Sequence, residues 1–188
     1  MNYSTIKNIC DVKRYKLRFR PLLSSLFLVA MCYLPNSLWA THIVGGDIGY
    51  RCLGNNEWEI TLNVYRDCFY GANDAPFDDP AWVGVYNQFG LLVRTLKIPF
   101  VGDDTLTAVL SDPCLVVPPD VCVHTTTYRD TTTLSVIPGG YTFAYQRCCR
   151  NQTILNIINP LETGATYWVH LSQTAMLDCN NSPVFNDW

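Results

Sequence analysis

The chain of 188 residues is nearly balanced in charge, with 13 basic and 16 acidic side chains, and 48% of it is hydrophobic. That balance hides two opposite pieces: residues 1–40 carry six Lys or Arg and one acid, whereas residues 41–188 carry seven basic and fifteen acidic side chains. The acidic piece has its bases scattered singly. It lacks the clustered Lys and Arg that phosphate backbones require, which excludes nucleic acid as a partner.

The first 40 residues have the three-part form of a secretory signal. A cationic region ending at Arg20 is followed by the apolar run "PLLSSLFLVAMCYL" and then by "PNSLWA", with cleavage expected after Ala40. The run is shorter than the roughly 20 apolar residues that span a bilayer, so the membrane is met only through this signal before it is removed. Residues 41–188 suffice for one domain, which at this size buries roughly 70% of its unfolded surface. We expect a β-sandwich over residues 41–178 and a C-terminal tail over 179–188.

The stretch "WATHIVGGDIGYRC" spans the expected cut and the start of the exported piece. "IVGG" invites comparison with the activated start of a trypsin-like protease. That reading would need a cut after His42, and none of Ser111, Ser135, Ser172 or Ser182 sits in a glycine-rich oxyanion turn or a GxSxG elbow. The motif reads instead as a strand whose glycines permit a bulge or a close approach.

Next, "EWEITLNVYRD" alternates Trp58, Ile60, Leu62 and Val64 with Glu57, Glu59, Thr61 and Asn63, a strand with one packed and one wet face. Gly54, Asn55 and Asn56 just before it tolerate positive φ, so a hairpin from about His42 to Arg66 is predicted. A second hairpin, "WVGVYNQFGLLVRTLKI", turns at Asn87 to Gly90. Further strands are expected at "TLTAVL", "VCVHTTTY", "TTTLSVI", "YTFAYQRCC" and "TYWVHLSQ", with "TILNIIN" the one stretch suited to a single helical turn. Eight or nine short strands with turns between them predict an all-β fold. The leading architecture is a Greek-key, immunoglobulin-like β-sandwich.

Cys10 and Cys32 leave with the signal; Cys52, Cys68, Cys114, Cys122, Cys148, Cys149 and Cys179 remain, and in an oxidising compartment they are disulfide candidates first. Cys114 and Cys122 flank "LVVPPDV" and suit a local bridge. Cys148 and Cys149, adjacent on a strand, should face opposite ways and bond different partners, with Cys52 and Cys68 suited to them. The chain has no CxxC, which argues against structural zinc, and catalytic thiols are the lesser reading. His42, His124 and His170 do not converge in sequence.

Hard oxygen ligands are more crowded. Asp67, Asn73, Asp74, Asp78 and Asp79 share one loop and Asp103 and Asp104 another, which makes Asp74, Asp78 and Asp79 calcium candidates, although turns use the same residues. Phe69, Tyr70, Trp82, Tyr86 and Trp168 could form a stacking platform for sugars, and the competing reading buries them in the core.

The runs "THIVGGDIGYRCLGNNEWEITLNVYRDC", "DPCLVVPPDVCV", "GGYTFAYQRCCRNQTILNIINP", "TGATYW" and "CNNSPVFNDW" together resemble the amino-terminal module of large exported surface proteins of the Bacteroidota. Many of those are gliding-motility-associated proteins with PKD-like or immunoglobulin-like repeats and a C-terminal sorting domain. The resemblance implies a secreted or outer-surface β-sandwich with no catalytic residue, and a tail leading into a further module. That module would hold the partner of the odd cysteine, with Cys179 the one left over. The function expected is a non-enzymatic, adhesin-like surface module, with a carbohydrate-binding module as the alternative and pairing by edge-strand addition as a third reading. Its partners would be other surface-protein modules or an extracellular glycan or protein.

Overall fold

A computed structural model describes residues 42–69, 76–106 and 121–183. The signal and its cleavage point lie outside the described residues, as do Cys114, Asn73, Asp74 and Tyr70. The chain is all-β in character: two antiparallel sheets pack face to face as a sandwich, and disulfides tie its ends.

The first sheet begins with β1 (Ile43–Gly54) and β2 (Glu57–Asp67), paired antiparallel as the alternation in β2 requires. Gly54, Asn55 and Asn56 turn the chain with φ of 90°, 50° and 61°, the left-handed region those residue types tolerate best. β3 (Ala81–Asn87) and β4 (Leu92–Ile98) form the second hairpin. Its turn is closed by the Asn87 side chain, whose Oδ1 accepts from the Phe89 and Leu91 amides at 3.0 Å each, and by Gly90 at φ 72°.

β5 (Asp104–Thr105) is a two-residue edge strand on β6 (Val123–Thr133). β6 corrects the expectation of two strands: the ladder runs unbroken through Arg129 and Asp130, because β2 accompanies it in register from Glu57↔Thr133 to Asp67↔Val123. A full-length partner overrides the local charge. β7 (Tyr141–Arg147) and β8 (Ala165–Leu171) complete the sheets, whose orders are β1-β2-β6-β5 and β4-β3-β7-β8.

The core lies between them. Trp58, Ile60, Leu62 and Val64 of β2 are at most 1% exposed and meet Val83, Val85, Phe143 and Leu171 from the other sheet. Each such side chain contributes about 1.5–3 kcal/mol on burial.

The expected helical turn at "TILNIIN" is replaced by bends, followed by a 3-10 turn at Pro160–Glu162. A short helix that periodicity could not reveal, α1 (Gln173–Leu177), starts where Ser172 Oγ accepts from the Ala175 amide at 3.1 Å. Five residues are too few for an apolar stripe to repeat. No helix among the described residues is long and apolar enough to cross a membrane.

The disulfides differ from the pairings expected. Cys122 bonds Cys68 rather than Cys114, because the register that ends at Asp67↔Val123 makes Cys68 and Cys122 the next cross-strand pair, with the Cys68 amide donating to the Cys122 carbonyl at 3.0 Å. Cys148 and Cys149 bond each other. β7 has ended at Arg147 and Cys149 sits at φ 77°, so the alternation that would have separated their sulfurs no longer applies. Cys179 finds its partner within the domain, at Cys52. α1 turns the chain back so that Asn181 Oδ1 accepts from the Cys52 amide at 2.8 Å and Ser182 Oγ from the Tyr50 amide at 2.9 Å, covering the free edge of β1.

Candidate functional site

The two sheets present unlike outer faces. On the first, the outward side chains satisfy one another: Asn63 Nδ2 donates to Asp47 Oδ2 at 2.9 Å, Thr127 Oγ1 donates to Asn63 Oδ1 at 2.8 Å, and Arg51 pairs with Glu59 at 3.1 Å. Such a face has little bonding capacity left for a ligand.

The second sheet is different. Strand alternation sends Val83 and Val85 inward and Trp82, Gly84 and Tyr86 outward. The ladders then align three rows across the sheet. Trp82 lies opposite Lys97; Thr95, Gly84, Ala144 and Trp168 form the second row; Leu92, Tyr86, Thr142 and His170 form the third. Trp82 is 52% and Trp168 64% exposed, large values for residues of that size.

Gly84 and Ala144 make a floor between the rings. A methyl group built on Gly84 would stand 2.6 Å from Cε2 of Tyr86, so the Tyr86 ring lies down over the glycine. Trp82 and Trp168 are two strands apart and offset by two residues, roughly 12 Å from standard strand spacings. Three aromatic rings therefore share one flat, open surface.

Polar groups sit among them. Thr142 Oγ1 and His170 Nδ1 are 3.1 Å apart, Gln146 Nε2 donates to Thr166 Oγ1 at 3.2 Å, and Lys97 Nζ stands 4.4 Å from the centre of the Trp82 ring. The four strands of this sheet contain Arg94, Lys97, Arg147 and His170 but no Asp or Glu. Those of the first sheet contain Asp47, Glu57, Glu59, Asp67, Asp104 and Asp130 against Arg51, Arg66, His124 and Arg129. Arg94 reaches Thr132 Oγ1 at 2.7 Å and Arg147 turns to Asp78, so Lys97 and His170 are the basic side chains on the outer face.

Of the five aromatics singled out as a platform, the structure brings together Trp82, Tyr86 and Trp168. Phe69 lies just beyond the end of β2 in the other sheet. The alternation Trp82-x-Gly84-x-Tyr86 was visible in sequence. Only the register could add Trp168, 82 residues beyond Tyr86.

Of the calcium candidates, Asp74 lies outside the described residues, and Asp78 and Asp79 are engaged within the protein. One oxygen of Asp78 is 2.7 Å from Arg147 Nη1 and the other accepts from Tyr145 Oη at 2.5 Å, while the Asp78 carbonyl accepts from Tyr128 Oη at 2.8 Å. Asp79 Oδ1 accepts from the Phe100 amide at 3.1 Å. A guanidinium against Asp78 repels a dication, and these contacts tie the 76–79 segment to the sandwich. Burial raises the Tyr145 phenol well above its ordinary value, and the hydrogen bond to Asp78 and that carboxylate's charge raise it further. The Tyr128 phenol is likewise raised, chiefly by burial. In the other acidic loop, Asp103 pairs with His124 at 3.3 Å and Asp104 accepts from the Thr105 amide at 2.7 Å. Asp67 is buried and accepts from Asn151 Nδ2 at 2.8 Å.

Cys68, Cys122 and His124 form a group whose ligand atoms all lie within 4.8 Å of one another. With the two sulfurs joined as a disulfide there is no thiolate to offer a metal. His42 lies just before β1 and His170 on the aromatic face, so the three histidines do not form one site. Compared with protein-family models, curated proteins and solved structures, the chain shows no significant match.

Proposed function

We propose that this chain is a non-enzymatic, exported binding module that holds carbohydrate on the outer face of its second sheet. The observation that carries this reading is the convergence of Trp82, Tyr86 and Trp168 on one open face, over the small residues Gly84 and Ala144. A pyranose ring has an apolar face of C–H groups and an equatorial rim of hydroxyls. Flat aromatic rings meet the first, and the Thr142, His170 and Gln146 side chains meet the second.

Binding without turnover suits this surface. Glycosidic hydrolysis uses two carboxyl groups flanking the scissile bond, and the strands that form the face carry none. Three disulfides are consistent with an oxidising compartment, in line with the signal sequence and with a secreted or outer-surface location. The resemblance noted in the sequence makes the setting an adhesin-like or gliding-motility-associated surface protein, with the sugar-holding face as its adhesive element.

The test is a glycan array followed by calorimetry on the best polysaccharide, with Trp168→Ala and Trp82→Ala beside the native chain. Saturable binding that falls about fivefold or more in either variant is expected, with the scale set by the roughly 1–3 kcal/mol that an aromatic side chain contributes to a stacked nucleobase. Failure of the native chain to bind any glycan, or binding indifferent to both substitutions, overturns the reading.

A further inference from the structure

Building on the carbohydrate reading above, we infer that the sugar this face takes is acidic, a polysaccharide bearing carboxylates along its length. The first ground is the division of charge between the sheets. Residues 41–188 carry seven basic and fifteen acidic side chains, yet the four strands behind the aromatic face contain no acid at all. The other sheet bears six. A polyanion is repelled by most of this molecule and meets no carboxylate on those four strands, so the net field orients it toward the aromatic surface.

The second ground is Lys97. Its ammonium has no carboxylate partner among the described residues and lies over the Trp82 ring, 4.4 Å from its centre. The ring attracts the cation through its quadrupole and holds it at the rim of the stacking surface. A polysaccharide running from Trp168 to Trp82 would bring a ring carboxylate within reach of Lys97 Nζ, which lies against the Trp82 ring. A neutral sugar can take only a hydrogen bond to a hydroxyl from that ammonium, whereas a carboxylate adds charge pairing to it. His170 on the far strand β8, within hydrogen-bond distance of Thr142, offers a second polar contact at the opposite corner of the face.

Polygalacturonate and its fully methyl-esterified form share one backbone and differ in charge, so they make the probe pair. Poly-glutamate serves as an anion without a sugar. Affinity electrophoresis and calorimetry on the full chain, at low and at physiological salt, should show the polyuronide bound at least about fivefold more tightly than its ester, with the preference shrinking as salt rises. Lys97→Gln should bring the affinity for the polyuronide down to that for its ester, and Trp168→Ala should weaken both polymers. Equal affinity for the acid and the ester overturns this inference but leaves carbohydrate binding standing, whereas binding of neither polymer, nor of any neutral glycan, overturns both. Poly-glutamate bound as tightly as the polyuronide also overturns it, since charge alone would then be what is recognised. Melting curves of both variants guard against misfolding, and Lys97, being exposed, can be replaced without opening the core.

Discussion

The three disulfides among the described residues should differ sharply in what they contribute, and the difference follows from where they close the chain. Cys52 and Cys179 are 127 residues apart, Cys68 and Cys122 are 54 apart, and Cys148 and Cys149 are neighbours. A cross-link stabilises chiefly by removing conformations from the unfolded chain, and the removal grows with the logarithm of the loop. The relation gives about 4.9 kcal/mol for the outer bridge, about 4.2 for the inner one and about 1 for the adjacent pair. The inner ring lies within the outer one, so with Cys68–Cys122 intact the effective outer loop shortens to roughly 75 residues and its contribution to about 4.5 kcal/mol. Either long-range bridge therefore accounts for a large share of a stability of about 5–15 kcal/mol. Equilibrium urea unfolding, followed by tryptophan fluorescence, to which buried Trp58 contributes, measures this directly on double alanine variants. At a slope of about 2 kcal/mol per molar urea, Cys52→Ala/Cys179→Ala and Cys68→Ala/Cys122→Ala should each lower the midpoint by about 2 M, and Cys148→Ala/Cys149→Ala by less than about 1 M. If the adjacent pair costs as much as either long-range bridge, chain entropy is not what these disulfides supply.

Three further outcomes test other parts of the structure. Gly84→Ala should lift the Tyr86 ring from the floor it covers, leaving the urea midpoint within about 0.5 M while weakening glycan binding several-fold; unchanged affinity in calorimetry would remove Tyr86 from the site. Asp78→Ala strips Arg147, whose side chain is 10% exposed, of its carboxylate partner while leaving it the Pro76 carbonyl, and strips Tyr145 of its acceptor. With the Asp78 side chain itself 36% exposed, the cost should be about 2–3 kcal/mol in urea unfolding, and a loss under about 0.5 kcal/mol would deny that this pair secures the 76–79 segment. Tyr145 titrates above its ordinary 10.0 when folded, through burial first and Asp78 second, whereas the unfolded chain ionises near that ordinary value. The resulting stability is complete below pH 10 and declines as the pH rises toward the folded value, by about 1.4 kcal/mol per pH unit. Tyr145→Phe should flatten that decline in stability measured from pH 9 to pH 11, and equal slopes would dismiss the account.

How much was legible in the sequence depends on the range of the forces involved. Alternation in "EWEITLNVYRD" fixes which face of β2 is buried, and "LGNN" and "YNQFG" fix two hairpins, because strand pleat and turn conformation are decided within a few residues. The all-β class follows from such local signals repeated along the chain. The cysteine pairings did not follow. Spacing favoured Cys114 for Cys122, while the register of β2 on β6 set Cys68 beside it, and the return of the chain after α1 brought Cys179 to Cys52.

The aromatic face divides the same way. The sequence by itself determined that Trp82, Gly84 and Tyr86 share one side of a strand, since that is a period of two. Only the tertiary structure decided that Trp168 and Ala144 lie on that side in the same row, and that the sheet opposite keeps the acids. Those are facts of strand order and register, set by how two sheets bury one core, and no local pattern encodes them.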